Sequence, residues 1–206
     1  MLICTGDAFA RPDGDERERF RAAWDAAARG DRATFEQITP GLADYMLYPY
    51  LQYEDYRHHR SSAPPDQMSD FLDRHQDWAF EPGLRSAWLT ALARQGKWSV
   101  LAAQAREVRS TTLRCHVARA RIELGDTAGL LPEVQKLWAV GSSQPKECDP
   151  AFDWLRKVDG ITPALAWERI RLAMAAGNWR LAGYLERYVP GDEQVWAQRW
   201  REQFRG

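Results

Sequence analysis

The chain has little cysteine, no long apolar run and no excess of either charge, and each shortage closes off a class of function. Only three of its 206 residues are cysteine, too few for a scaffold built on disulfides. No apolar stretch reaches the ~18 residues that a membrane-crossing helix needs. Lys and Arg number 28 against 29 Asp and Glu, a net charge of −1. The positive surplus with which non-specific nucleic-acid binders displace counterions is therefore missing. Strand signals are missing too: no run alternates β-branched with polar residues, and no Asn-Gly pair marks a hairpin.

Chemical signatures are equally sparse. Gly141-Ser142-Ser143 is not the Gly-x-Ser-x-Gly elbow of a serine nucleophile. Most of the 14 glycines stand singly at helix ends or in loops and build no phosphate cradle. The histidines His58, His59, His75 and His116 are scattered, and neither His-x-x-x-His nor Cys-x-x-Cys occurs, so no metal site is expected. His58 and His59 read as the last turn of a helix, where a partly positive imidazole suits the dipole. The 13 glutamates lie almost all in charged helical contexts such as Glu16-Arg17-Glu18-Arg19 and Glu168-Arg169, which read as solvated faces. None is assigned a catalytic role, and no cofactor is expected.

What the chain does have is helix. Hydrophobic content of 45% with 28% charge is that of a folded globular protein. A helix stop followed by a polar residue recurs at Arg29-Gly30-Asp31, Gln95-Gly96-Lys97, Leu124-Gly125-Asp126 and Ala176-Gly177-Asn178. Glycine ends one helix in the left-handed conformation, and Asp or Asn can cap the next. The stops are 66, 29 and 52 residues apart, which excludes a clean 34-residue repeat and fits a degenerate helical array. Apolar stripes step by three and four through Leu84, Trp88, Ala91 and Gln95, through Leu113, Val117, Ala120 and Leu124, through Leu130, Val134 and Leu137, and through Leu181, Leu185 and Tyr188. Asp149-Pro150 and Thr162-Pro163 read as helix openings, with the polar residue as cap and Pro at the first helical position. Loops are placed near 60–66 and 141–149. The fold class is all-α: an irregular solenoid of about a dozen helices in antiparallel hairpins.

Ten tryptophans are many for this length. They suit either the grooves between irregular helix pairs or sugar stacking on a concave surface, and packing is the stronger reading because most lie at periodic positions or just after a glycine stop. Cys115 and Cys148 flank one helix-turn-helix unit, 33 residues apart. They read either as a staple between neighbouring hairpins or as two buried thiols; the Pro-containing loop before Cys148 favours the staple. Near the N-terminus, Ala8-Phe9-Ala10 has the small-x-small form of a secretory cleavage site, and residues 1–10 read as the possible remnant of an export signal. Cys4 makes only a weak lipoprotein box.

Several segments resemble one family. These are Arg21-Ala22-Ala23-Trp24, then Leu47-Tyr48-Pro49-Tyr50-Leu51-Gln52-Tyr53, then Cys115, then Leu137-Trp138 through Ser143-Gln144-Pro145-Lys146-Glu147-Cys148-Asp149, and finally Leu165 to Asn178. In this order, over about residues 15–180, they are similar to the N-terminal superhelical domain of the soluble lytic murein transglycosylases. The resemblance implies a periplasmic protein, a disulfide between Cys115 and Cys148, and glycan strands of peptidoglycan as partner. In that family a lysozyme-like domain cleaves the MurNAc–GlcNAc β-1,4 bond to a 1,6-anhydro product, one Glu serving as acid and then base.

No Glu here is followed by Ser, the dipeptide that marks that acid. Residues 11–206 are therefore expected to form the helical domain alone, with the catalytic lysozyme-like domain absent, as a scaffold that is inactive by itself. The catalytic domain of the full-length enzyme is then a second expected partner. The alternative is a stand-alone helical adaptor that binds a cell-envelope protein or peptide. Trp196, Trp200 and Phe204, four apart, either form an uncovered face prone to self-association or fold back as a cap.

Overall fold

Helix ends set the architecture. In the computed structural model, which describes residues 14–106 and 108–203, α1 (Gly14–Ala28) closes with two backbone bonds. The Gly30 amide donates to the Ala27 carbonyl and the Asp31 amide to the Ala26 carbonyl, both at 2.9 Å, and Gly30 takes φ +69°. A side chain at that angle would be strained, so glycine stands there. The Asp31 carboxylate then caps α2 (Arg32–Ile38), accepting from the Thr34 amide at 3.1 Å. The same pair of bonds on a left-handed glycine ends α5 (Glu81–Arg94), α7 (Thr111–Glu123) and α10 (Pro163–Ala175). Asn178 caps α11 (Trp179–Leu185) as Asp31 caps α2.

Two openings differ from the sequence reading. Asp126 caps nothing: α8 (Leu130–Trp138) starts after the left-handed Gly129, and the Asp126 carboxylate lies 3.4 Å from Arg121 instead. Asp149 is already the first residue of α9 (Asp149–Lys157), because a 3-10 turn over Lys146–Cys148 runs straight into it. Thr162 does cap α10, its hydroxyl accepting from the Leu165 amide at 3.2 Å ahead of Pro163. One helix stop has no glycine at its left-handed position: α9 ends on Asp159 at φ +52°, with Gly160 following it.

With α3 (Tyr48–His59), α4 (Pro65–Arg74), α6 (Trp98–Gln104) and α12 (Gly191–Gln203), the described residues hold twelve α-helices and no strand. The all-α fold of helices turning back on one another by tight connections is thus the observed one. Connections do fall at 60–64 and 139–145, near the two expected loops, but the one at 39–47, between α2 and α3, is longer than either. The chain divides into two compact units, Met1–Trp88 and Leu89–Gly206.

In the first unit α1 packs on α2 and α3 through alanines. Ala23, Ala26 and Ala27 are buried against Phe35, Leu42 and Leu51, and their small size lets the helix axes approach. In the second unit one core joins α7 to α11, with Leu130, Val134, Leu137, Leu155, Ile170 and Leu185 at its centre. Two expected stripe members face solvent instead, Gln95 and Leu124. Arg169, read from sequence as part of a solvated face, is 5% exposed. Glu54 and Glu81 are likewise buried, each beside an arginine: Glu54 meets Arg57 at 2.6 Å, and Glu81 meets Arg85, which also reaches Asp73 at 2.9 Å.

The tryptophans divide. Trp88 and Trp138 are fully enclosed, whereas Trp24, Trp179 and Trp196 are exposed. Trp200 is half-buried against the second core while Trp196 projects outward, so the terminal face is only partly open. Phe204, Cys4 and Ala8-Phe9-Ala10 lie outside the described residues.

Candidate functional site

The alanine face of α1 that meets α3 leaves the bulkier residues of the helix on the flank. Phe20 and Trp24, one turn apart, stack with ring centroids 6.3 Å apart, and Phe20 also leans on Tyr45 at 5.2 Å. Opposite them stands the start of α3. Leu47 is its N-cap residue and Pro49 sits in its first turn, where a missing amide hydrogen costs nothing. Tyr50 follows, packed on Trp78 (4.9 Å) and Phe80 (6.0 Å). Between the two walls lies an open cleft of about 530 Å³ lined by Phe20, Arg21, Trp24, Asp25, Leu47 and Tyr50. That volume is within the ~300–1,000 Å³ usual for small-molecule sites.

Both aromatic walls are partly open to solvent, Trp24 being 37% and Tyr50 41% exposed. Arg21 and Asp25 are exposed one helical turn apart, and neither side chain has a hydrogen bond or ion pair among the described residues. The sequence singled out Trp24 as one of ten tryptophans. Arg21, Leu47 and Tyr50 stood out only as parts of the family-like segments, and Phe20 and Asp25 did not stand out at all. The available signal was the 20/21/24/25 spacing, which puts two rings and two opposite charges on one side of a helix.

The second unit holds the connector between α8 and α9, and three devices clamp it. Cys115 on α7 and Cys148 in the 3-10 turn form a disulfide, with sulfurs 2.00 Å and Cα atoms 4.7 Å apart, both residues fully buried. Gly141 lies against the backbone of α10 at Leu172. Arg169 reaches back from α10, its Nε donating to the Val140 carbonyl at 3.2 Å and its Nη2 to that of Ser142 at 3.5 Å. The guanidinium lies over the Trp138 ring, 4.5 Å from its centroid, and burial lowers its pKa to about 10.

The histidines lie at the ends of α3 and α4 and on α7. His58 and His59 are in the last turn of α3, where His59 Nδ1 lies 2.8 Å from the Asp55 carboxylate. His75 ends α4 with Nδ1 donating to the Phe71 carbonyl at 2.8 Å. His116 is on α7 beside the disulfide, its Nδ1 buried without a partner. Burial lowers its pKa, partly offset by the charge of Glu147. Among the described residues no three His, Cys, Asp or Glu gather as metal ligands would.

No family model matches the chain. Whole-sequence comparison finds the soluble lytic murein transglycosylase of Escherichia coli K12, 33% identical over 198 residues, 95% of this chain and 31% of that protein. The enzyme of Salmonella typhimurium is 34% identical over the same share. The chain is homologous to the N-terminal part of the soluble lytic murein transglycosylases. Solved structures agree. The 70-kDa soluble lytic transglycosylase of Escherichia coli superposes with a TM-score of 0.75 at 30% identity, over 93% of this chain and 31% of that one. A 70-kDa soluble lytic transglycosylase in complex with bulgecin A gives 0.76 at 29%. An inactive mutant of lytic transglycosylase Slt from Pseudomonas aeruginosa gives 0.70 at 31%, over 85% of this chain. The chain thus spans about a third of the length of the transglycosylases it matches. Among the described residues no helix is long and apolar enough to cross a membrane.

Proposed function

We propose that this chain is the helical scaffold part of a periplasmic lytic transglycosylase, which holds peptidoglycan glycan strands and supports a lysozyme-like catalytic domain but cuts nothing by itself. The observation that carries the reading is the match of nearly the whole chain to one contiguous third of the transglycosylases, in sequence and in fold. A buried disulfide supports an oxidising compartment such as the periplasm. The carboxylates support the absence of cleavage. Glycoside cleavage calls for a carboxylic acid kept protonated beside the scissile bond, whereas buried Glu54 and Glu81 are tied to arginines and the cleft acid, Asp25, is exposed.

The test is to incubate the purified chain with intact murein sacculi. The protein is expected to sediment with the sacculi and to release no soluble 1,6-anhydro-muropeptides. Release of such products by the chain alone would overturn the non-catalytic role. Failure to sediment would overturn the glycan-holding one.

A further inference from the structure

We infer that the cleft between α1 and the start of α3 is a binding subsite for a β-1,4-linked N-acetylhexosamine chain. This deepens the scaffold reading above and rests on it for the source of the ligand. The cleft offers both kinds of contact that a pyranose needs. Trp24 and Tyr50 line the cleft from opposite walls and are both partly exposed, and the C–H face of a sugar packs on aromatic rings as other apolar edges do. Each ring packs on neighbouring rings, Trp24 on Phe20 and Tyr50 on Trp78 and Phe80, so little side-chain freedom is lost on binding.

The polar groups select the occupant. The Arg21 guanidinium and the Asp25 carboxylate stand one turn apart beside the rings, with no partner among the described residues. An apolar helix laid into the cleft would cover both charges and leave them unsatisfied, which is costly. A neutral ligand that carries donors and acceptors together fits instead. Arg21 donates to an acetamido carbonyl, and Asp25 accepts from an acetamido N–H or a ring hydroxyl. Phe20 and Leu47 give the acetamido methyl an apolar wall.

The probe is chitotetraose, titrated against the full chain by heteronuclear NMR, with cellotetraose, which lacks acetamido groups, as control. Saturable shifts are expected at Trp24, Asp25 and Tyr50 for chitotetraose, with cellotetraose at least about ten-fold weaker. Trp24→Ala should weaken binding by about ten-fold or more. Asp25→Asn, an isosteric change at an exposed position, should weaken it several-fold at an unchanged unfolding midpoint.

No saturable shift up to about 10 mM sugar would overturn the subsite. Equal affinity for cellotetraose, or binding that survives both substitutions, would do so too. Dimers of the wild-type chain that Trp24→Ala dissolves would give the cleft to a second copy and overturn it as well. Sacculus sedimentation separates the two readings. Sedimentation retained without chitotetraose binding sinks the subsite alone; chitotetraose binding without sedimentation sinks the scaffold's hold on peptidoglycan alone.

Discussion

A Cβ built on Gly141 would stand 2.8 Å from the carbonyl carbon of Leu172 and closer still to its oxygen. The obstacle is helix backbone, which cannot swing aside as a flexible side chain would. Gly141→Ala should therefore push the α8–α9 connector off α10 and cost about 1–3 kcal/mol, the range for overpacking a tight contact. Urea unfolding of the two proteins measures it, and an unchanged midpoint would show that the contact is slack.

Arg169 holds the same connector from the same helix, α10, one turn before Leu172. Its planar fork serves two carbonyls while lying over Trp138. Lysine keeps the charge but neither the fork nor the stacking. Arg169→Lys is expected to lose about 1–2 kcal/mol of stability, and near-ultraviolet circular dichroism should show a change at Trp138.

The disulfide closes a 33-residue loop. Cys148→Ser should cost about 3–4 kcal/mol from the restored freedom of the unfolded chain. The loss belongs to the second unit, since both cysteines lie there. A two-step thermal transition in the variant, its earlier step reporting on Trp138, is the expected calorimetric and fluorescence result.

His116 links stability to pH. Burial lowers its proton affinity in the folded chain, so as pH falls the unfolded chain takes up the proton first. Stability is full above the ordinary value of about 6.5 and declines as pH drops from there through the lower folded pKa. Glu147 attracts the proton while Arg119 and Arg94 oppose it, and none of the three removes the effect of burial. In His116→Asn the urea midpoint should change less between pH 8 and about pH 5 than in the wild type.

The all-α fold, the helix stops at Gly30, Gly96, Gly125 and Gly177 and the two histidines ending α3 were legible because each rests on local backbone chemistry. Burial of charge was not. Arg169 sits in a sequence as polar as any solvated face, and only the approach of Trp138 and two carbonyls from 27 to 31 residues away makes its burial tolerable. The cleft was illegible for a related reason: one wall comes from α1 and the other from α3, and no periodicity within either helix announces the space between them.

Asp159, not glycine, takes the left-handed position that ends α9. Counted by that position, the stops at 96, 125 and 159 lie 29 and 34 residues apart, so α6–α7 and α8–α9 are successive hairpins of similar length. The interval of 52 between Gly125 and Gly177 is 34 plus 18, one full hairpin and one further helix. The array is more regular than its glycines suggest.

The Asp159–Gly160 step also bears on chemical ageing. In a slack chain the amide nitrogen of a glycine attacks the preceding aspartyl carboxyl, closes a succinimide and leaves isoaspartate behind. Here the Gly160 amide is engaged at 2.8 Å by the Leu155 carbonyl, and the residue is wedged against Leu131 and Leu155. The folded chain withholds that nucleophile, so isoaspartate gathering at residue 159 during storage would record how often α9 comes undone.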